Sequence, residues 1–197
     1  MLSPRSIHPL PGEAELKERL LSLIDAFGGR SIVIVGDVIA DEFIYGEAAR
    51  VSREAPVLIL RYDTTEMLAG GAGNAANNIA ALGGAAVLAG LVGPDAEGQR
   101  LLERLLPGVD TTRVARVKGY RTPVKTRILA GGIHSAKQQV VRIDRDAGWP
   151  VAADASRSLV RRLASALDGC DAVLLSDYGS GLVTPRLAAD IRSALGR

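Results

Sequence analysis

The clearest chemistry in the sequence lies in a glycine-rich stretch, Ala69–Ala76, that opens a predicted helix. Gly70, Gly71 and Gly73 would let the backbone approach a ligand closely, and the N-terminus of a helix presents N–H groups without intrahelical partners. Asn74 adds a side-chain amide that both donates and accepts hydrogen bonds, which suits a hydroxyl such as those of a sugar. We therefore expect a small-molecule site at this helix start.

Two other interpretations of this stretch stay open. Gly71-x-Gly73-x-x-Ala76 also satisfies a dinucleotide-binding pattern, but that fingerprint directly follows the first strand of its fold. Here the first predicted strand ends in Gly36-Asp37, and the glycine-rich stretch comes only after a hairpin-like segment. The second alternative is a purely structural glycine-rich helix start.

Three aspartates near strand ends are further candidates for ligand binding. Asp37 follows a β-branched run, Ser31–Val35, and lies where the carboxyl end of a buried parallel strand opens into a crevice. Its carboxylate could accept two strong hydrogen bonds from hydroxyls, or it could simply form a turn. Asp41 lies at the base of the hairpin-like segment, where it either touches substrate or caps that segment. Asp177 ends a later predicted strand, Ala172–Leu175, and we expect it to face the same crevice.

Cations on a later strand are candidates for binding a phosphate. Lys125 and Arg127 alternate along a predicted strand and so share one face, although a merely solvated face is the competing interpretation. Gln138 and Arg142, on the next strand with Asp144, are weaker candidates that ordinary surface roles would also explain. His8 and His134 have no partner cluster in the sequence, so no metal site is predicted.

The amino-acid composition limits the classes of protein to which this chain could belong. The 197 residues are 47% hydrophobic, which suffices for one buried domain with a small appendage. A net charge of +2, from 24 basic and 22 acidic residues, gives no reason to expect nucleic acid or a membrane as partner. The uncharged stretch Met67–Pro94 is too rich in glycine and asparagine for a membrane span. A single cysteine, Cys170, fits a reducing compartment, and we expect a cytoplasmic protein.

The pattern of elements predicts an α/β fold. An amphipathic helix at Glu13–Phe27 is followed by short apolar strands that alternate with helices, which is typical of a three-layer sandwich. Phe43–Tyr62 breaks this rhythm with two strand-like runs and no helix between them. We therefore divide the chain into an N-terminal helix (1–30), an α/β core (31–42 and 63–197) and a projecting β-lid (43–62).

Several motifs, taken together, resemble the PfkB carbohydrate kinases. Gly70–Ala76, followed by Gly83 and Gly93, has the composition and spacing of the first signature of that family. Other segments resemble the start of the heptose-7-phosphate kinases, in the same order: Val35–Asp41, Tyr45-Gly46, Val51–Val57, Lys125–Arg127, Gln138-Gln139, Arg142–Asp144 and Ser176–Gly179. The resemblance covers nearly the whole chain.

The resemblance implies a ribokinase-like α/β/α sandwich, here incomplete, with a small β-sheet lid that closes over a sugar. It implies ATP-dependent phosphorylation, with Mg²⁺, of a sugar phosphate: D-glycero-β-D-manno-heptose 7-phosphate to the 1,7-bisphosphate. Asp37 and Asn74 match family positions that hold sugar hydroxyls. Lids of this family pair between subunits, so a homodimer through the lid is also implied.

The chain departs from the family in two places. The family's catalytic aspartate lies in a second motif, Gly-Ala-Gly-Asp, which does not occur here, so no catalytic residue is assigned and the 197 residues alone are expected to be inactive. Related heptose kinases carry a lysine near Ser180. Two alternatives remain: a kinase of another sugar or of a nucleoside, and a non-catalytic sugar-binding or dimerisation module. Aromatic residues make up only 4% of the chain, which disfavours stacking of a nucleobase.

Overall fold

The computed structural model describes residues 12–132, 136–147 and 153–196, so His8 and His134 lie outside the described residues. The elements in chain order are α1 (Glu13–Asp25), β1 (Ser31–Gly36), β2 (Val38–Val51), β3 (Leu58–Gly71), α2 (Ala72–Ala81), β4 (Ala85–Val92), α3 (Ala96–Leu102), β5 (Val109–Arg116), β6 (Val124–Gly131), β7 (Gln138–Arg145), α4 (Ala153–Leu167), β8 (Ala172–Ser176) and α5 (Pro185–Ala194).

The core is a parallel four-stranded sheet in the order β5-β4-β1-β8. β1 is central and carries the continuous apolar run of the sequence, and Val33, Ile34 and Val35 are fully buried. Alternate side chains of β1 contact opposite layers: Ile34 packs with helices α2 and α3, whereas Val33 and Val35 pack with α4 and α5. The prediction of a three-layer α/β/α sandwich is therefore confirmed.

Strand β8 differs from its prediction as a buried strand. It lies at the edge of the sheet with β1 as its one neighbour among the described strands, and Leu174 and Leu175 are 41% and 37% exposed. An apolar run indicates that a strand belongs in a sheet, but it does not say how many neighbours cover it. Strand β5 was not predicted, because its sequence mixes polar and apolar residues without a strong alternation.

A second four-stranded sheet has the order β3-β2-β6-β7 and contains the predicted lid hairpin, so we refer to it as the lid sheet. The hairpin of β2 and β3 begins at Val38 and ends at Gly71, so it is longer than the predicted 43–62. β6 pairs in parallel with β2, and β7 pairs antiparallel with β6. Strands β6 and β7, which the sequence analysis assigned to the core, therefore extend the lid sheet. Pairing of β2 with β6 joins distant segments, and no local pattern indicates it.

Helix α1 forms where the periodicity predicts it but ends at Asp25, two residues early. Its apolar side chains remain largely exposed, namely Leu16, Leu20, Leu21, Leu23 and Ile24. Within residues 12–132, 136–147 and 153–196, no helix combines the length and apolar character needed to cross a membrane.

Asp95 caps helix α3, as predicted, and also ties this helix to the segment that leads into the lid. Its carboxylate accepts hydrogen bonds from the Gly98 N–H (2.8 Å), the Thr122 N–H (2.8 Å) and the Thr122 hydroxyl (2.6 Å). Burial raises the pKa of Asp95, but the hydrogen bonds from Thr122 and Gly98 outweigh burial and hold this pKa below its usual 3.8.

Asp95→Ala is expected to lower the free energy of unfolding by about 1–2 kcal/mol, as loss of an N-cap does. Because the folded pKa is depressed, the carboxylate stabilises the fold above pH 3.8, and this contribution disappears as the pH falls through the folded pKa. Urea denaturation from neutral to acidic pH measures both effects. Asp110→Ala, which removes one exposed bond to the Thr112 N–H, is the control. A difference between Asp95→Ala and wild type that persists in acid would contradict the assignment.

Candidate functional site

Asp37 is the single residue between core strand β1 and lid strand β2. Its carbonyl oxygen accepts a hydrogen bond of 2.9 Å from the N–H of Ala72, the first residue of α2. Its own N–H donates to the Ser176 carbonyl, at 3.0 Å, where β8 ends. The structure thus brings the strand-end aspartate and the glycine-rich helix start together, at the junction of the core and the lid.

The Asp37 carboxylate is 1% exposed, and its two oxygens have different surroundings. Oδ2 accepts hydrogen bonds from the N–H groups of Tyr178 (2.8 Å) and Ser180 (3.2 Å). Oδ1 is also buried and has no hydrogen-bond partner in the part of the chain that the structure describes. A buried carboxylate oxygen without a donor is destabilising, and such orphan acceptors are uncommon in folded proteins. Oδ1 is therefore an acceptor that a ligand hydroxyl could satisfy.

The glycines at the start of α2 accommodate protein groups. Gly71 has a φ of 56°, in the left-handed region, and a Cβ there would collide with the Asp37 carbonyl oxygen. A Cβ at Gly70 would collide with the Asp41 carboxylate. At Gly73 a Cβ would press against Ala69 at 3.2 Å, so this glycine lets the helix pack closely. Asn74 is exposed on the same helix turn, and its role in binding stays a prediction.

The strand register arranges the charged residues of the lid in rows on one face. Asp41, Lys125 and Asp144 are paired across β2, β6 and β7, and Arg127 and Arg142 follow in the next row. Arg127 forms an ion pair with Asp41 at 2.9 Å. Arg142 donates two hydrogen bonds, at 2.8 and 3.0 Å, to the carboxylate of Asp144. The predicted cations thus share a face, but two of them already have carboxylate partners.

Lys125 is different, because the described residues give it no carboxylate within ion-pair distance. Its ammonium lies 5.2 Å from the centroid of the Tyr178 ring, which is a cation–π arrangement. Lys125 and Tyr178 both line a pocket of about 530 Å³, to which the lid sheet and the turn after β8 contribute residues. Its lining residues are Ile39, Pro123, Val124, Lys125, Asp144, Arg145, Asp146, Ala147, Tyr178, Gly179, Ser180 and Gly181.

Of the eleven predicted site residues, Lys125 alone is among the described residues that line this pocket. Register places Gln139, and not Gln138, on the face that carries Lys125. Asp177 is exposed, and its carboxylate accepts a hydrogen bond of 2.9 Å from the Gly179 N–H within its own turn. The direction of a side chain at a bulge or in a turn depends on backbone geometry that residue types do not reveal.

Tyr120 is a buried neighbour of the site that the sequence analysis missed. Burial, together with the negative charges of Asp37 and Asp95, raises the pKa of its hydroxyl to about 12. The hydroxyl therefore stays protonated at neutral pH. The segment from Val117 to Arg121 has no strong pattern, so nothing in the sequence indicated that this tyrosine is buried near two acids.

A spectrophotometric titration of the four tyrosines should show one that ionises near pH 12, above the usual tyrosine pKa of 10.0. Tyr120→Phe should remove that ionisation and leave the others unchanged. If every tyrosine titrated near pH 10, Tyr120 would not be buried beside the two acids.

We assign no nucleotide–metal site to the described residues. In the described ranges, no group of three or more His, Cys, Asp or Glu side chains could hold a metal ion. The sequence also has no Gly-Ala-Gly-Asp motif at which a phosphoryl group could be held. Accordingly, no step of a phosphoryl transfer is assigned to residues of this chain.

Solved structures with the same arrangement define the class of fold as ribokinase-like. A ribokinase from Arabidopsis thaliana, in complex with ribose and ATP, is similar over 84% of this chain and 51% of its own, with a TM-score of 0.56 and 21% identity. Phosphofructokinase-2 from Escherichia coli, in complex with fructose-6-phosphate, is similar over 85% of this chain and 52% of its own, with a TM-score of 0.57 and 20% identity. The expectation of a ribokinase-like fold is confirmed.

The family follows from the sequence. Residues 30–154 match the family model of the pfkB family carbohydrate kinases, and the chain belongs to that family. It is 39% identical, over 166 residues, to a protein of Trichlorobacter lovleyi named "Bifunctional protein HldE", covering 84% of this chain and 33% of that protein. A protein of the same name from Granulibacter bethesdensis is 42% identical over 164 residues, covering 81% and 32%. The chain thus spans about a third of the length of these curated relatives.

Proposed function

We propose that this chain forms the sugar-phosphate-binding part and the lid of a carbohydrate kinase whose substrate is D-glycero-β-D-manno-heptose 7-phosphate. The product would be the 1,7-bisphosphate, and the phosphoryl donor would be ATP with Mg²⁺. Relatives named "Bifunctional protein HldE" and the motifs shared with heptose-7-phosphate kinases support this choice of substrate. We place the reaction in the cytoplasm, since the single cysteine suits a reducing compartment.

One observation carries the proposal, namely the unpartnered Oδ1 of the buried Asp37. Two backbone N–H groups hold Oδ2 and so fix the orientation of the carboxylate. A sugar hydroxyl that donates to Oδ1 would form a charge-assisted hydrogen bond and remove the cost of the orphan acceptor. Oδ1 is closed to solvent in this form, so binding requires the lid or the turn after β8 to move.

Lys125 is the residue to which we assign the phosphate of the substrate. Arg127 and Arg142 are neutralised by Asp41 and Asp144, whereas Lys125 projects into the pocket without a carboxylate partner among the described residues. An ammonium with three donors is well suited to a phosphate dianion. The lid that carries Lys125 would then close over the sugar and exclude water, which competes with a sugar hydroxyl for a phosphoryl group.

Calorimetric titration of the 197-residue chain with heptose 7-phosphate, without nucleotide, tests the proposal. We expect saturable 1:1 binding that is tighter than binding of the unphosphorylated heptose. Similar affinities for both sugars would favour a kinase of an unphosphorylated sugar. Binding of neither sugar, or binding of a dinucleotide instead, would refute a sugar-phosphate site.

The isolated chain is expected to bind this substrate without phosphorylating it. The described residues contain no metal cluster, and the sequence lacks the catalytic motif of the family. A single-turnover assay with labelled ATP, Mg²⁺ and heptose 7-phosphate should yield no bisphosphate above a no-protein blank. Formation of product in proportion to protein would contradict this prediction.

A dimerisation module is the second candidate, and the lid sheet supports it. On β7, at the sheet edge, Val141 and Ile143 are 44% and 49% exposed on the face opposite Lys125. Exposed apolar side chains beside a strand edge invite pairing with a second copy. Light scattering would distinguish a dimer from a monomer, and Ile143→Lys should shift a lid-mediated dimer to monomer. A monomeric wild-type chain would dismiss this second function.

A further inference from the structure

Tyr178 contacts both ends of the proposed binding site. Its backbone N–H donates to Oδ2 of Asp37 at 2.8 Å, so the start of its turn is fixed on the acid to which we assign the sugar hydroxyl. Its ring lies 5.2 Å from the ammonium of Lys125, to which we assign the phosphate. The residue is 55% exposed, and its side chain lines the pocket, so the ring is not needed to fill the core.

Lys125 depends on this ring for its placement. Arg127 and Arg142 are each oriented by a carboxylate at 2.9 Å or less, and the planar guanidinium fixes that geometry. A lysine has a flexible four-carbon side chain, and among the described residues the Lys125 ammonium contacts the Tyr178 ring. The face of an aromatic ring attracts a cation without neutralising it, so the ammonium stays available to an anion.

We propose that Tyr178 is a positioning residue that sets the selectivity of the site for phosphorylated over unphosphorylated sugars. By linking Asp37 to Lys125 it fixes the separation between the hydroxyl acceptor and the phosphate-binding cation. A sugar whose phosphate and hydroxyl match this separation is favoured over the same sugar without a phosphate. This inference rests on the proposed function, because it requires that Lys125 bind the phosphate.

The selectivity is measured as the ratio of the dissociation constants of heptose and heptose 7-phosphate for the 197-residue chain. Tyr178→Leu removes the aromatic face but keeps the backbone N–H, and is expected to lower this ratio about two- to fivefold, the range that a cation–π contact at an exposed site supports. Tyr178→Phe retains the ring and should restore the wild-type ratio. Tyr62→Leu, at an exposed tyrosine elsewhere on the lid sheet, is the matched control.

A spectroscopic measurement separates positioning of Lys125 from a general effect on the turn. The Lys125 ammonium lies over the ring, so the NMR signals of the protons on the adjacent carbon are expected to be shifted upfield by the ring current. This shift should be present in wild type and in Tyr178→Phe, and it should vanish in Tyr178→Leu. Loss of the shift together with loss of selectivity supports the inference, and an unshifted wild-type signal overturns it.

The variant Lys125→Met distinguishes failure of this inference from failure of the proposed function. If Lys125→Met leaves the ratio of dissociation constants unchanged, Lys125 does not bind the phosphate, and the phosphate assignment in the proposed function is wrong. If Lys125→Met lowers the ratio but Tyr178→Leu does not, the phosphate assignment stands and the role of Tyr178 is refuted. An equal fall in affinity for both sugars in Tyr178→Leu would likewise refute a role in selectivity.

Discussion

Asp37→Asn is expected to weaken binding of heptose 7-phosphate about 10- to 100-fold, which corresponds to one hydrogen bond to a charged group. The variant keeps an oxygen that accepts from the N–H groups of Tyr178 and Ser180. Its NH₂ group takes the place of Oδ1 and cannot accept a hydrogen bond from a hydroxyl. Calorimetry measures the affinity, and Asp110→Asn, at an exposed aspartate that also accepts a backbone N–H, is the matched control.

The stability of the same variant gives a second and independent result. Because Asp37 Oδ1 is buried without a partner, replacing the charged group by a neutral one should leave the free energy of unfolding unchanged or raise it. A purely structural aspartate would behave in the opposite way, since its loss would reduce stability and leave the sugar affinity of the folded protein intact. Unchanged affinity in Asp37→Asn would therefore remove the main support for the proposed function.

Lys125→Met is expected to lower the affinity for heptose 7-phosphate about tenfold or more, as loss of a hydrogen bond to a charged group does, and to leave the affinity for the unphosphorylated heptose unaffected. Among the described residues, Lys125 has no carboxylate partner, so its removal leaves no carboxylate without a counterion. Lys118→Met, at an exposed lysine in a turn outside the pocket, is the control for the loss of one positive charge. Titrations at two salt concentrations should show a weaker salt dependence for Lys125→Met than for wild type.

Arg127→Met provides the contrast within the same strand. Arg127 pairs with Asp41, and both side chains are about a quarter exposed, so removing the arginine leaves a largely buried carboxylate without its counterion. This variant should lose stability more than it loses selectivity for the phosphate. If Arg127→Met changed selectivity and Lys125→Met did not, the two cations would have to exchange their assigned roles.

Local sequence patterns were sufficient to predict that Asp37 and the start of the helix near Asn74 lie close together. The buried run before Asp37 indicated a central strand, and the glycines before Asn74 indicated a helix start. The carboxyl end of a parallel strand and the N-terminus of a helix lie at the same edge of the sheet. The hydrogen bond from the Ala72 N–H to the Asp37 carbonyl oxygen shows this contact. The alternation of Lys125 and Arg127 likewise gave their common face.

The other features of the fold and of the candidate site depend on contacts between segments that are distant in the sequence. Residue types alone do not encode such contacts. Pairing of β6 with β2 brings Arg127 within ion-pair distance of Asp41, and this ion pair is the reason that we assign the phosphate to Lys125 and not to Arg127. Gly70 and Gly71 were predicted to let a ligand approach, whereas a side chain at either position would meet Asp41 or Asp37. The sequence analysis did not select Tyr178, because its proposed role comes from two separate groups. Its backbone N–H donates to Asp37, and its ring face contacts Lys125.

A crystal structure of the chain with heptose 7-phosphate would test the central claim most directly. The account predicts a sugar hydroxyl at hydrogen-bond distance from Oδ1 of Asp37, about 2.5–3.0 Å, with the phosphate on the ammonium of Lys125 and the lid sheet over the sugar. A sugar phosphate bound elsewhere, with Oδ1 still unpartnered beneath the turn that carries Tyr178, would contradict it.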